Sequence, residues 1–165
     1  MGKLVPLDVI ENKIFQVREK RVMLDRDLAV LYEVETRVLN QAVKRNIRRF
    51  PGDFMFSLTR EEIRRISQIV TSLKFYKSIN VFTEQGVSML SSVLHSERAI
   101  DVNIQIMRAF VNLRRVAVTY SGLKNKIESM EKKYDKQFGV VFKAIRQLME
   151  PPPAKARVIA GFKQT

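Results

Sequence analysis

Between residues 36 and 52 the chain carries Thr36, Arg37, Asn40, Gln41, Lys44, Arg45, Arg48 and Arg49, and no Asp or Glu. These side chains suit duplex DNA. Arg forks onto guanine, Asn or Gln bridges adenine, and Lys or Arg neutralises phosphates. The intervals of three and four residues predict that Arg37, Asn40, Gln41 and Lys44 share the exposed face of one helix. Arg45, Arg48 and Arg49 would then add mainly salt-dependent affinity. A basic run is also what an ordinary solvated helix face looks like, so the surrounding elements must decide.

Those elements are legible from capping and apolar spacing. Asp25 stands in the N-cap place before Leu28, Ala29, Leu31 and Tyr32, which predicts a short helix. Thr36 is expected to cap a second helix that buries Leu39, Ala42, Val43 and Ile47 and ends near Phe50, because Pro51-Gly52 follows. With Ala29 as the small residue at the crossing, Leu28, Tyr32, Val34, Leu39 and Ala42 fall where a helix-turn-helix needs apolar contacts. Residues 13 to 24 read as a β-hairpin around Arg18 to Lys20. Phe54 to Leu58 reads as a strand, and Thr59-Arg-Glu-Glu62 as a capping box opening a helix through Ile63 and Ile66. Gln68 to Val81 is expected to be strand, loop, strand. Thr83 then caps a helix over Val87 to Leu94, and Ser96 caps a long helix from Glu97.

From Ile106 every seventh residue is apolar or aromatic: Ile106, Leu113, Tyr120, Ile127, Tyr134, Val141 and Leu148. Three residues after the first six come Ala109, Val116, Leu123, Met130, Gln137 and Ala144, of which only Gln137 departs from the pattern. Sustained a/d spacing predicts a coiled coil and a homodimer through Leu113, Val116, Tyr120, Leu123, Ile127, Met130, Tyr134, Val141 and Leu148. Lys126 facing Glu131 of a partner favours the parallel arrangement. A helix folded back on its own domain is the alternative. A second stripe, Ile100, Ile104, Met107 and Val111, is expected to pack on the domain. The expected organisation is a lead-in at 1–12, a DNA-binding domain at 13–117, a dimerisation helix at 118–150 and a basic tail at 151–165 opened by Pro151, Pro152 and Pro153. The fold class is α+β: a small helix-turn-helix domain with a hairpin and short strands, then a long C-terminal helix forming the coiled coil.

Composition narrows the chemistry. The 165 residues hold 30 Lys plus Arg against 17 Asp plus Glu, a net charge of +13, with no Cys and one His. No disulfide, thiol nucleophile or Cys-based zinc site can be built. His95 has no metal partner at useful spacing. Glu84 reads as a helix-dipole complement rather than an acid catalyst, and Asp25 with Asp27 as capping residues rather than a metal pair. No enzyme activity, cofactor, metal or small-molecule substrate is therefore expected. Pro6 and Asp8 interrupt the N-terminus, and no stretch approaches the ~18 apolar residues of a spanning helix. A cytoplasmic, nucleoid-associated protein without a membrane partner is the expectation, and the positive surplus points to a polyanion.

Several blocks together resemble a known family. They are Val22-Met-Leu-Asp-Arg-Asp-Leu-Ala-Val-Leu-Tyr, the run from Val34 to Pro51, Asp53-Phe-Met-Phe, the run from Phe82 to Leu94, and Ser96-Glu-Arg-Ala-Ile. Ile14 to Val116 is thus similar to the KilA-N type of phage DNA-binding domain, in the branch named for the N-terminal domain of a phage sixth open reading frame. Antirepressor and Bro-N domains are related. The resemblance implies a small α+β domain of phage, bacterial or mobile-element origin. Relatives usually carry Gly where this chain has Glu33. A requirement for φ > 0 there would cost Glu about 1 kcal/mol, which predicts a wider turn. The expected function is a sequence-preferring, dimeric double-stranded DNA-binding regulator. The alternative is an antirepressor-type interaction module whose coiled coil captures a partner.

Overall fold

The computed structural model describes residues 5–133 and 136–150. They divide into two compact units, the first ending at Phe110 and the second beginning at Val111.

The first unit is mixed helix and antiparallel sheet, as the patterning predicts. A short helix α1 (Leu7–Glu11) precedes the hairpin β1 (Ile14–Val17) and β2 (Lys20–Leu24). The segment expected to be a lead-in is therefore partly structured, with Ile10 fully buried. Helices α2 (Asp25–Tyr32) and α3 (Thr36–Arg45) follow, then a 3-10 turn (Ile47–Arg49), β3 (Met55–Ser57) and α4 (Arg60–Ser67). A second 3-10 turn (Thr71–Phe75) leads to β4 (Asn80–Thr83), α5 (Glu84–Leu94) and the long α6 (Glu97–Lys133). The strand expected just after Gln68 is thus a helical turn, and only the second of the two predicted strands forms.

The sheet order is β1-β2-β4-β3, with every pair antiparallel. Phe15 lies opposite Val22, and Leu24 opposite Val81, so one face of the pleat presents a continuous apolar row. That row packs on Ile63 and Ile66 of α4 and on Leu73. Ile14, Met23 and Phe82 are in register on alternate positions and are also buried, so both faces are covered. The Phe50 ring meets Phe82 edge to face at 5.9 Å, fastening the end of the basic segment to the sheet.

The hairpin turns in two residues, Arg18 and Glu19, both with positive φ as the tight turn of type I′ requires. Arg18 lies over the Phe56 ring (4.4 Å) and forks onto the Glu62 carboxylate at 2.8 and 2.9 Å. Glu62 also closes the predicted capping box: its carboxylate accepts from the Thr59 N–H, and the Thr59 hydroxyl accepts from the Glu62 N–H. Burial alone would raise the Glu62 pKa, but Arg18 and the Thr59 donors hold it below the ordinary carboxylate range.

Two caps differ from expectation. Asp25 and Thr36 are the first helical residues, not the caps, and the N-cap positions are Leu24 and Glu35, without side-chain cap bonds. The buried Asp25 side chain is used elsewhere, as described below. The turn between α2 and α3 is also not widened. Glu33 takes a left-handed conformation (φ 58°, ψ 43°), with Val34 N–H donating to the Ala29 carbonyl (3.0 Å) and Glu33 N–H to the Val30 carbonyl (3.2 Å). This pair of bonds is the tight Schellman ending, which Gly adopts without strain. Glu33→Gly should therefore raise stability by about 1 kcal/mol, seen as a higher urea midpoint with unchanged slope. An unchanged midpoint would mean the 3.7 Å Glu33–Arg98 ion pair offsets the backbone strain.

The face of α6 that packs on the first unit also differs from expectation. Ala99, Val102, Ile106, Ala109 and Phe110 are buried, whereas Ile100, Ile104 and Val111 are exposed and Met107 is half-buried. The first a/d pair of the heptad series, Ile106 and Ala109, is thus domain core. The domain takes this face because Ala99 and Ala109 are small enough to admit close packing, leaving the bulkier stripe outside.

In the second unit the heptad series spans two helices, α6 and α7 (Lys136–Met149), rather than one. The Glu150 carboxylate acts on the Tyr120 phenol, which partial burial and that charge both push above its usual pKa. Leu113, Tyr120 and Ile127 are half-buried, while Val116, Leu123, Met130, Val141 and Leu148 are exposed. Tyr134 lies outside the described residues. No helix among the described residues is long and apolar enough to cross a membrane.

Candidate nucleic-acid interface

Helices α2 and α3 pack on each other, with Leu28, Ala29, Tyr32 and Leu39 buried and Val34 and Ala42 half-buried at the predicted apolar positions. Behind them α5 supports α3. From α6, Arg98 donates through Nε to the Leu31 carbonyl (3.2 Å) and approaches Glu33 at 3.7 Å. A cation at the last turn of α2 satisfies a carbonyl and complements the helix dipole. The sequence reading missed this tie, because it joins elements more than sixty residues apart.

The outer surface of α3 and the following turn carries Arg37, Gln41, Lys44, Arg45, Arg48 and Arg49, all exposed. Arg37 pairs with the equally exposed Glu35 at 3.3 Å, a contact worth little in water. Lys44, Arg45, Arg48 and Arg49 have no ion-pair partner among the described residues, so positive charge concentrates toward the C-terminal end. Thr36 is half-buried at the first helical position. Ile47, expected to be buried, is 52% exposed because α3 ends at Arg45 and the 3-10 turn rotates it outward.

Asn40 is the principal correction. It does not share the open face; it is half-buried, and both ends of its amide are engaged. Its Nδ2 donates to Asp25 Oδ2 (2.9 Å), and its Oδ1 accepts from Asn80 Nδ2 (3.1 Å). Asp25, 5% exposed, also accepts from the Arg26 N–H (2.7 Å) and the Asn80 N–H (3.2 Å). The Ser57 hydroxyl completes the chain by donating to Asn80 Oδ1 (2.6 Å). Spacing along α3 places Asn40 at the margin of the exposed stripe, and only the strand β4 reveals that its amide is a latch. The one local hint was an Asp at a helix start with no basic residue reserved for it.

Thr83 caps α5 as predicted, accepting from the Gly86 N–H at 3.4 Å, and its hydroxyl lies within bonding distance of the Asp53 and Phe54 carbonyls. Glu84 sits in the first turn of that helix, where a carboxylate complements the dipole. Among the described residues no group of three His, Asp or Glu side chains is arranged to hold a metal ion.

A four-stranded antiparallel sheet backed by helices, with two short helices joined by a tight turn and presenting a basic outer face, defines a small α+β domain. Residues 12–93 match the family model described as ORF6N domain, a phage ORF6 N-terminal domain family. The match starts at the hairpin and ends in α5, so it covers the sheet, the latch and the basic surface. No curated protein and no solved structure matches the chain.

Proposed function

We propose that this chain is a double-stranded DNA-binding protein of phage or mobile-element type that acts as a dimeric transcriptional regulator. The observation that carries the reading is the exposed surface of Arg37, Gln41, Lys44, Arg45, Arg48 and Arg49, in a stretch without Asp or Glu from residue 36 to 52, on a helix and turn tied down by the Asn40 amide and the Phe50 ring. Arg37, Gln41 and Lys44 are the candidate base readers, and Arg45, Arg48 and Arg49 the phosphate anchors. Dimerisation draws on the exposed apolar residues of the second unit, among them Val116, Leu123, Val141 and Leu148. Two linked heads would meet half-sites about 34 Å apart on successive major-groove turns.

A salt series with genomic and random duplexes tests this. Affinity should fall steeply with salt, and Arg48→Ala combined with Arg49→Ala should weaken all sequences alike and reduce the slope of log K on log salt by roughly 2. Absence of binding at about 50 mM salt would end the duplex reading. The exposed apolar surface of the second unit supports a second reading, an antirepressor-type module that captures a protein partner, with DNA contact secondary. A monomeric mass at micromolar concentration would remove the homodimer and favour that alternative.

A further inference from the structure

A second basic surface lies away from α3. Between α4 and the segment that follows it is an open cleft of about 790 Å³. That volume falls within the roughly 300–1,000 Å³ of small-ligand sites. Arg60 and Arg64, one turn apart on α4, line it together with Lys77 from the far side, and no lining residue is acidic. Both arginines are exposed, and neither has an ion-pair partner among the described residues. Arg65 of the same helix, by contrast, pairs with Glu61 at 2.8 Å. Ile63, nearly buried, gives the cleft an apolar patch, and Gln68 adds an amide.

The wall of the cleft includes Tyr76, a residue 47% exposed. That ring is not loose. The Arg26 guanidinium stands 5.2 Å from its centroid and donates to the Ser72 hydroxyl at 2.9 Å, fixing the ring against α2. A half-exposed aromatic ring backed by a cation is a stacking platform for a nucleobase, and three nearby cations are a seat for its phosphates.

We propose that this cleft binds a nucleoside phosphate, with the base on Tyr76 and the phosphates on Arg60, Arg64 and Lys77. A free nucleotide and an unpaired nucleotide within a single strand present the same chemistry. The site does not depend on the duplex reading of α3.

The test uses the full-length protein and two probes, ethenoadenosine triphosphate and a short fluorescent oligothymidylate, read by anisotropy at fixed salt. Tyr76→Ala should weaken binding at least about tenfold, the loss expected for one stacked base. Tyr76→Phe, which keeps the ring, should restore it. Arg60→Ala with Arg64→Ala should weaken binding further than Lys20→Ala, which removes an exposed charge that does not line the cleft. Binding of the triphosphate identifies a free nucleotide as the source, and binding of the oligomer alone identifies a strand. The proposal is overturned if neither probe binds, if Tyr76→Ala has no effect, or if inorganic triphosphate competes as well as the nucleotide. Duplex affinity measured on the same variants separates this outcome from failure of the α3 reading.

Discussion

Gly86→Ala should destabilise the first unit by at least about 3 kcal/mol, a large share of the 5–15 kcal/mol that holds a typical domain together. A methyl group built at this position lands on the Phe54 carbonyl oxygen and comes within 2.9 Å of the carbonyl carbon. Overpacking against a side chain is relieved by a rotamer change, but here the obstacle is backbone. The Phe54 carbonyl cannot retreat freely, because it accepts from the Thr83 N–H at 3.0 Å and lies 3.2 Å from the Thr83 hydroxyl. The methyl must therefore break the link between β4 and the 53–54 segment or push α5 off the sheet. Gly52→Ala is the matched control, since nothing stands within 4 Å of a Cβ there and its stability should be unchanged within a few tenths of a kcal/mol. Parallel urea melts decide the matter. Equal midpoints for the two variants would show that the α5 contact yields more easily than its hydrogen bonds imply.

Asp25→Ala should cost on the order of 3 kcal/mol and lower the melting temperature by roughly 10 °C or more. The carboxylate is nearly buried and accepts from three donors: the Arg26 N–H, the Asn40 amide and the Asn80 N–H. Its removal leaves donors without an acceptor where water has little access, which costs more than the net worth of the bonds. Asn40→Ala removes only one donor from this set and should cost less, about 1–2 kcal/mol. The two variants also separate a latch from a reader. With Asn40 as a latch, Asn40→Ala weakens all DNA sequences by a similar factor. Loss of preference at one adenine with unchanged stability would return Asn40 to the reading face.

The contrast between Asn40 and its neighbours shows where sequence reasoning reached its limit. Helical periodicity and the acid-free run were sufficient to place α3 and expose Arg37, Gln41, Lys44, Arg45, Arg48 and Arg49, because those depend on local spacing. The capping box at Thr59 and Glu62 was legible for the same reason: both partners lie within one turn. Spacing misplaces Asn40 and Asp25 because their partner Asn80 is forty residues beyond Asn40 and sits on a strand whose pairing no local pattern reveals. The α6 stripes were exchanged because two apolar faces were present, and choosing between them required knowing which one a tight groove would admit. Arg60, Arg64 and Tyr76 carry no local signal of a shared site, because only the fold brings α4 and the 71–77 segment together around one cleft.

The strand β4 gives the sheet order a consequence for how this domain is inherited and assembled. It lies between β2 and β3, and through Asn80 it also holds α3. The helix pair is therefore not a detachable cassette. Residues 25–50 alone lack the strand that secures the latch and the Phe82 ring that receives Phe50, and local helix propensity does not substitute for such packing. During folding, the basic surface acquires its final shape only after a chain segment thirty residues downstream has inserted into the centre of the sheet, a long-range closure that slows the step. Transplanting this reading head onto another protein would require carrying the chain through β4, and recombination inside that span would separate the helix from the strand that positions it.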